Sequence, residues 1–316
     1  MIAPAARPVL LTGGNGFVGR AVAVALGQRG IAHRLALRTP AVAPAIGVAP
    51  ISAEADWSNA VRGVQAVLHL AARAHLLRDP ATDPLSAYRT VNTAGTLRLA
   101  EQAAAAGVRR FVFVSTAKVH GEATAPGALL SEAEVPAPQD PYALSKWEAE
   151  QGLAAIAAHT DMEVVVVRPP LVYGPGVKAN FAALMRAVSQ GWPLPLAAID
   201  NRRSLVGLDN LVDFLLLCLE HPAAANQTFL VSDGEDLSTP ELLHRLSMAM
   251  GRPARLWPVP PAVLKAGAAL LGRRAAAERL CGNLQVDIAK ARALLNWSPP
   301  VSVDEGLRRA AAGFVP

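Results

Sequence analysis

The peptide Thr12-Gly13-Gly14-Asn15-Gly16-Phe17-Val18-Gly19 constrains this chain more than any other. It follows a short apolar run at 8–12 and opens an Ala/Val-rich stretch of helical length at 17–28. Gly13 permits a tight turn, Gly16 lets the backbone approach a diphosphate, and Gly19 lets helix and strand pack closely. The helix N-terminus then faces an anion with its free N–H groups. A strand, a glycine turn and a helix in that order predict the first unit of a dinucleotide-binding sheet.

The texture that follows agrees. Strand-like runs at 34–38, 65–70, 110–115 and 163–167 alternate with Ala/Leu-rich helical stretches such as 85–106. Two of the runs, Arg110-Phe111-Val112-Phe113-Val114 and Glu163-Val164-Val165-Val166-Val167, are almost continuously apolar, as strands buried on both faces must be. The expected fold is α/β: a doubly wound parallel sheet of Rossmann type, with a smaller C-terminal α/β region for substrate. After Arg168-Pro169-Pro170 the spacing of Pro and Gly tightens, which places the boundary there. Residues 1–170 plus about 205–233 are assigned to the dinucleotide domain, with 204–208 and 228–232 as strands rejoining its sheet. Residues 171–204 and 234–316 are assigned to the second region.

Composition narrows the function. At 316 residues and 52% hydrophobic, the chain buries enough surface to fold without a metal or disulfide staple. Its two cysteines, Cys218 and Cys281, are far apart, so no metal site is expected. No secretory signal precedes the first strand, and the apolar runs at 211–219 and 262–271 reach about half the roughly 20 residues of a membrane span. A cytoplasmic protein without membrane contact is expected. The excess charge of +5 is scattered as arginine pairs without interleaved aromatics, which suits a small anionic ligand and not a nucleic acid.

Three further places carry chemistry. Asp140 and Pro141 form a helix start, so Tyr142 and Lys146 stand four apart on one helical face. An ammonium beside a phenol favours the phenolate and readies it to exchange a proton with an alcohol or carbonyl. Ser115-Thr116 closes the run at 110–115, at the carboxyl edge where parallel sheets bind ligands; a hydroxyl there either contacts a reacting oxygen or satisfies local backbone. The segment His33-Arg34-Leu35-Ala36-Leu37-Arg38 ends without the acid that holds a ribose diol. Arg38 is then either a partner for a 2′-phosphate, favouring NADP(H) over NAD(H), or a solvated surface arginine.

Taken together, these residues resemble the extended short-chain dehydrogenase/reductases, within them the NAD(P)-dependent nucleotide-sugar epimerase/dehydratase group. The likeness spans the chain and includes His69-Leu70-Ala71-Ala72, Val91-Asn92-Thr93-Ala94-Gly95-Thr96 and Arg168-Pro169-Pro170-Leu171-Val172-Tyr173-Gly174-Pro175-Gly176. It implies Thr116, Tyr142 and Lys146 as catalytic residues, with Lys146 lowering the phenol's pKa and binding the nicotinamide ribose. It implies cofactor contacts from Gly13, Gly16, Phe17, Val18, Gly19, Leu70, Ala71, Ala72, Ser115 and Pro169. Asn180, Phe181, Arg203 and Arg279 would meet the nucleotide sugar.

Some positions depart from the group. Leu171 replaces an asparagine, the adenine-side Gly-Asp pair is missing near 48–51, and Lys118-Val119-His120-Gly121 replaces a Val-Tyr-Gly. Were this last stretch extended, Thr116, Lys118 and His120 would share a side; Lys118 would then meet the sugar or its phosphate, or else remain a surface lysine. Lys118 and the segment Gly176-Val177-Lys178-Ala179-Asn180-Phe181 are most similar to UDP-sugar 4-ketoreductases of O-antigen and other surface-polysaccharide pathways. The expected reaction is hydride transfer from NAD(P)H to C4 of a UDP-linked 4-keto sugar. A UDP-sugar 4-epimerase with tightly bound NAD is the first alternative, and a dinucleotide-binding protein without chemistry the second. Residues 121–140 are expected to form a structureless, mobile flap. The resemblance also implies a homodimer pairing the 85–106 helix with the Tyr142 helix.

Overall fold

The structure is a computed structural model that describes residues 7–39, 45–74, 82–272 and 274–314. The first half alternates β1 (Val9–Thr12), α1 (Phe17–Gln28), β2 (His33–Leu37), β3 (Ala45–Gly47), α2 (Ser58–Val61), β4 (Ala66–His69), α3 (Pro84–Tyr88), α4 (Gly95–Ala105) and β5 (Arg110–Val114). Next come β6 (Leu129–Leu130), α5 (Pro141–Ala158), β7 (Glu163–Arg168), β8 (Leu171–Tyr173), α6 (Ala179–Ser189), β9 (Pro193–Leu194) and β10 (Arg203–Gly207). The remaining elements are α7 (Leu208–Glu220), β11 (Thr228–Leu230), β12 (Asp236–Leu237), α8 (Thr239–Ala249), β13 (Arg255–Leu256), α9 (Pro261–Leu270), α10 (Arg274–Cys281), β14 (Gln285–Val286), α11 (Ala289–Leu295) and α12 (Val303–Ala312).

Seven parallel strands form the central sheet in the order β11-β7-β5-β4-β1-β2-β3. The strands β1, β4, β5 and β7 are buried almost throughout because helices cover both faces. One face carries α1, α7 and α11, packed through Leu11, Leu68, Phe214 and Trp297; the other carries α2, α4 and α5, packed through Leu10, Phe111, Leu99 and Leu153. Chain reversal between β1 and β4 puts the glycine turn at the sheet's carboxyl edge, where ligands bind.

The second region has its own small core under α6, α8 and α12, including Tyr173, Phe181, Leu205 and Leu243. Here one expectation changes. β11 does join the main sheet beside β7, but β10 does not. It pairs in parallel with β8 and antiparallel with β12. Pro169-Pro170 offer no N–H donors, so the chain leaves the main sheet after β7 and starts a second one.

The helix expected at 85–106 is also interrupted: a π-helical turn at Arg89–Ala94 separates α3 from α4. The extra residue turns Asn92 inward, where its amide donates to Ser145 Oγ at 3.0 Å and to the Arg73 carbonyl at 3.1 Å. Such bulges recur near functional sites. The segment 121–140 is tied down, contrary to the flap expectation. β6 pairs with β14, Thr124 bridges Asn283, Glu132 accepts from the Leu230 N–H at 2.7 Å, and Ala137 N–H donates to Val119.

Candidate active site

The glycine turn is held from below. Ala71 N–H donates to Thr12 Oγ1 at 3.2 Å, the Thr12 hydroxyl lies 2.7 Å from His69 Nδ1, and His69 Nε2 lies 3.0 Å from Thr96 Oγ1. One direction of donation satisfies the whole chain: amide to threonine, threonine to Nδ1, Nε2–H to the second threonine. Burial and the nearby Lys146 charge push the His69 imidazole down to about 3, so it stays neutral and keeps that tautomer at ordinary pH. The sequence pattern alone gives His69 no role; its buried position between two hydroxyls is a tertiary fact.

That clamp brings the end of β4 against the turn so closely that a Cβ on Gly13 would stand 2.7 Å from Ala71 N. A Cβ on Gly19 would stand 2.0 Å from the Gly13 carbonyl oxygen. Gly13 itself has φ +70, which glycine adopts without strain. No side chain caps the N-terminus of α1. Phe17 and Val18 pack their side chains against the core, leaving their backbone to face the turn. A bare, uncapped helix start behind a glycine cradle fits the diphosphate of a dinucleotide. Leu70, Ala71 and Ala72 follow β4 at the same edge, and Arg38 is exposed just past β2.

The Tyr142–Lys146 pair sits as the helix start predicts. Asp140 caps α5 by accepting from Ala143 N–H at 2.7 Å, with Pro141 in the first turn. Lys146 is buried, and its Nζ lies 3.9 Å above the Phe113 ring near the end of β5. Among the described residues its ammonium has no carboxylate bonded to it, and burial pushes it down to about 7, with Glu150 opposing. Tyr142 packs edge-on to Tyr88, 6.1 Å between centroids. Burial, with the Asp140 charge, raises its phenol above the ordinary value. The expected lowering of that phenol by Lys146 is therefore not what the chain alone produces.

Thr116 lies one residue past Ser115, which follows β5, and accepts from Lys118 N–H at 3.3 Å. The stretch Ala117–His120 is a 3-10 turn, not extended, so Thr116, Lys118 and His120 do not share a side. Lys118 donates instead to Glu122 at 2.8 Å and Asp140 at 2.9 Å. Its direct reach to sugar is replaced by a bridge from the Thr116 turn to the Tyr142 helix. His120 turns inward and accepts from Arg168 at 2.8 Å.

Ser115, expected at the cofactor, donates its hydroxyl to buried Glu150, which also pairs with buried Arg168. That leaves Thr116 as the hydroxyl free to face a ligand. Pro169 accepts from Ala117 N–H at 2.9 Å and anchors the same turn.

In the second region Arg203 donates to the carbonyls of Arg279 (2.9 Å) and Gly282 (3.0 Å). Burial and neighbouring Arg279 lower its pKa, and Glu122 opposes. Arg203 thus lies within electrostatic reach of both the α10 arginine and the Thr116 turn, a cationic wall suited to a diphosphate. Asn180 is exposed in the first turn of α6. Phe181, expected at the base, is instead fully buried and stacked on Tyr173 at 5.5 Å; helical periodicity turns it into the core.

A glycine cradle at the edge of a seven-stranded parallel sheet, with a YxxxK pair on the adjoining helix, defines an extended short-chain dehydrogenase/reductase. The profile of the NAD dependent epimerase/dehydratase family matches residues 9–232, and the chain belongs to that family. It is similar to a UDP-glucose 4-epimerase of Vibrio cholerae, 45% identical over 98% of this chain and 96% of that one. Among solved structures it is similar to a UDP-glucose 4-epimerase from Thermotoga maritima crystallised with UDP-glucose, at TM-score 0.78 and 25% identity, covering 97% of this chain and 98% of that one. It is likewise similar to a short-chain dehydrogenase/reductase from Agrobacterium tumefaciens with bound NAD, at TM-score 0.73 and 25% identity over 96% of each chain.

Proposed function

We propose that this enzyme is a UDP-sugar 4-epimerase. The observation that carries the reading is the grouping at one sheet edge of the Tyr142 phenol, the buried Lys146 ammonium over Phe113, and the Thr116 turn bridged to the Tyr142 helix by Lys118–Asp140. The 45% identity to a 4-epimerase weighs for epimerisation over the 4-keto reduction expected from Lys118, whose ammonium is committed to two carboxylates.

A bound nicotinamide supplies two things the chain lacks, a carrier for hydride and, when oxidised, a positive charge beside the phenol. The chain supplies the rest. Tyr142 takes the C4 hydroxyl proton as C4 loses hydride, holds it while the keto sugar turns, and returns it to the same oxygen when hydride comes back on the other face. Thr116 donates a hydrogen bond to that oxygen, and Lys146 biases the phenol and holds the ribose. Arg203 and Arg279 take the diphosphate, with Asn180 beside them.

Incubation of the purified enzyme with UDP-glucose or UDP-N-acetylglucosamine and no added cofactor tests the reading: 4-epimer should form without net oxidation. Consumption of reduced nicotinamide with a 4-keto sugar, and no epimer, would establish the reductase instead. For the cofactor, exposed Arg38 supports a site open to a 2′-phosphate. Arg38→Ala should weaken NADP(H) up to about fivefold, the scale of an exposed ion pair, and leave NAD(H) unchanged.

A homodimer is part of the proposal. α4 and α5 present a shallow apolar hollow of about 500 Å³ lined by Ala104, Ala105, Ala155 and Ile156, which a second copy's α4 and α5 would cover.

A further inference from the structure

The apolar run at 262–271 does not behave as its sequence suggests. No residue of α9 is buried. Leu270 is 90% exposed, Leu271 77% and Val263 59%, and the helix packs chiefly along α10. Beside this hairpin lies the β9–β13 ribbon, where Arg255 pairs with Pro193 and Trp257 N–H donates to Leu194. It carries two more outward aromatics, Trp257 at 63% and Trp192 at 55% exposure. Scattered exposed leucines need no explanation, but five large apolar side chains left outward on an unburied helix and the ribbon that leads into it mark a surface that meets something.

The unpaired charges around it are one-sided. From 242 through 277 the sequence contains six Lys or Arg (Arg245, Arg252, Arg255, Lys265, Arg273, Arg274) and no Asp or Glu. Arg245 is paired with Glu235 and Asp304, and Arg274 with Glu278. Arg252, Arg255 and Lys265 are exposed and carry no ion pair among the described residues. Three exposed cations without an acid partner beside the apolar helix weigh against a second copy of the chain, because a two-fold contact would set them against one another. It fits a bilayer that carries anionic headgroups: leucine and valine enter the acyl boundary, tryptophans sit at headgroup level, and Lys and Arg reach the phosphates.

We infer that α9, with the Trp192 and Trp257 ribbon beside it, docks this enzyme on an anionic membrane surface. No helix among the described residues is long and apolar enough to cross a membrane, and none needs to be. The expectation of no membrane contact rested on spans alone; a helix lying in the interface requires a shorter apolar stretch. The surface is continuous with the proposed substrate wall, since α9 packs on α10 and the Arg279 carbonyl of α10 holds Arg203. The enzyme would therefore work with its sugar-nucleotide side close to the lipid.

Co-sedimentation of the full chain with phosphatidylcholine vesicles containing phosphatidylglycerol, against phosphatidylcholine alone, tests this. Expected is pelleting with anionic vesicles only, a blue shift of tryptophan emission, and release by salt. Leu270→Glu/Leu271→Glu should abolish pelleting, while Arg255→Glu and Lys265→Glu should each weaken it by roughly fivefold or more. Turnover of a soluble UDP-sugar should be unchanged in all three variants, which shows that they fold. No pelleting of the wild type, or equal pelleting of the double-glutamate variant, overturns the inference. So does a wild-type oligomer that this variant splits without any vesicle binding, since the face then belongs to a protein contact.

Discussion

On the sheet side of the site, Thr12, His69 and Thr96 form a buried hydrogen-bond chain that fixes the glycine turn, and Ser115, Glu150 and Arg168 form a second beneath the catalytic helix. On the side of the second region, Arg203 leans on two backbone carbonyls, and Lys118 is balanced between Glu122 and Asp140 while still partly exposed. The first arrangement is settled before any ligand arrives, because the side chains of both networks already hold one another. The second leaves Arg203 without an ion pair among the described residues, open to the diphosphate proposed above. A rigid cofactor side and an electrostatically open substrate side suit an enzyme that keeps its cofactor and exchanges its sugar.

Removing the Tyr142 hydroxyl tests the rigid side hardest. Tyr142→Phe should lower turnover about 10²–10⁴-fold with unchanged dinucleotide binding, read by steady-state kinetics and cofactor titration. Near-full turnover would remove the acid/base assignment. Glu150→Ala should cost about 3–5 kcal/mol of stability in urea unfolding, because Arg168 would be left buried and unpaired. A loss below 1 kcal/mol would mean that the sheet side is less fixed than the contrast requires.

Lys146→Met should do the opposite to stability. The unfolded lysine takes its proton near 10.5 and the folded one only near 7, so between those values the unfolded chain binds more protons and stability falls as the pH drops. Below about 7 the penalty is complete. The methionine variant should therefore melt higher than wild type at pH 7 by an amount worth a few kcal/mol, with the gap closing toward pH 10.5, while losing turnover. A gap independent of pH would show that Lys146 is not held against its charge. The smallest change falls on the open side. Arg203→Ala should raise KM for a UDP-sugar about tenfold to a hundredfold with kcat nearly unchanged, the scale of a charged hydrogen bond. A fall in kcat instead would place Arg203 among the positioning groups of the rigid side.

Much of the sheet was legible because its signals are local. The runs at 110–115 and 163–167 could only be strands buried on both faces, and helix 17–28 matches α1 residue for residue. The π turn at Arg89–Ala94 was hidden inside an unbroken Ala/Leu helix pattern; only Gly95, seated against Ile51, hinted at a break. The strand at 203–207 was seen but assigned to the wrong sheet, since pairing depends on which edge is already taken. Most telling are the two apolar runs of similar length. α7 has nine buried residues and packs on α1 and the sheet, whereas the Ala-rich α9 has no fully buried residue, though neither run is long enough to span a membrane.

The sequence by itself determined the glycine turn and the Tyr142–Lys146 spacing, because a missing Cβ, an aspartate cap and a proline in the first helical turn act within a few residues of the backbone they shape. Only the tertiary structure decided where Ser115, Lys118 and Phe181 spend their side chains, that His69 is a neutral clamp, and which apolar helix faces outward. Those outcomes depend on groups brought together from distant parts of the chain, and burial then sets their charge.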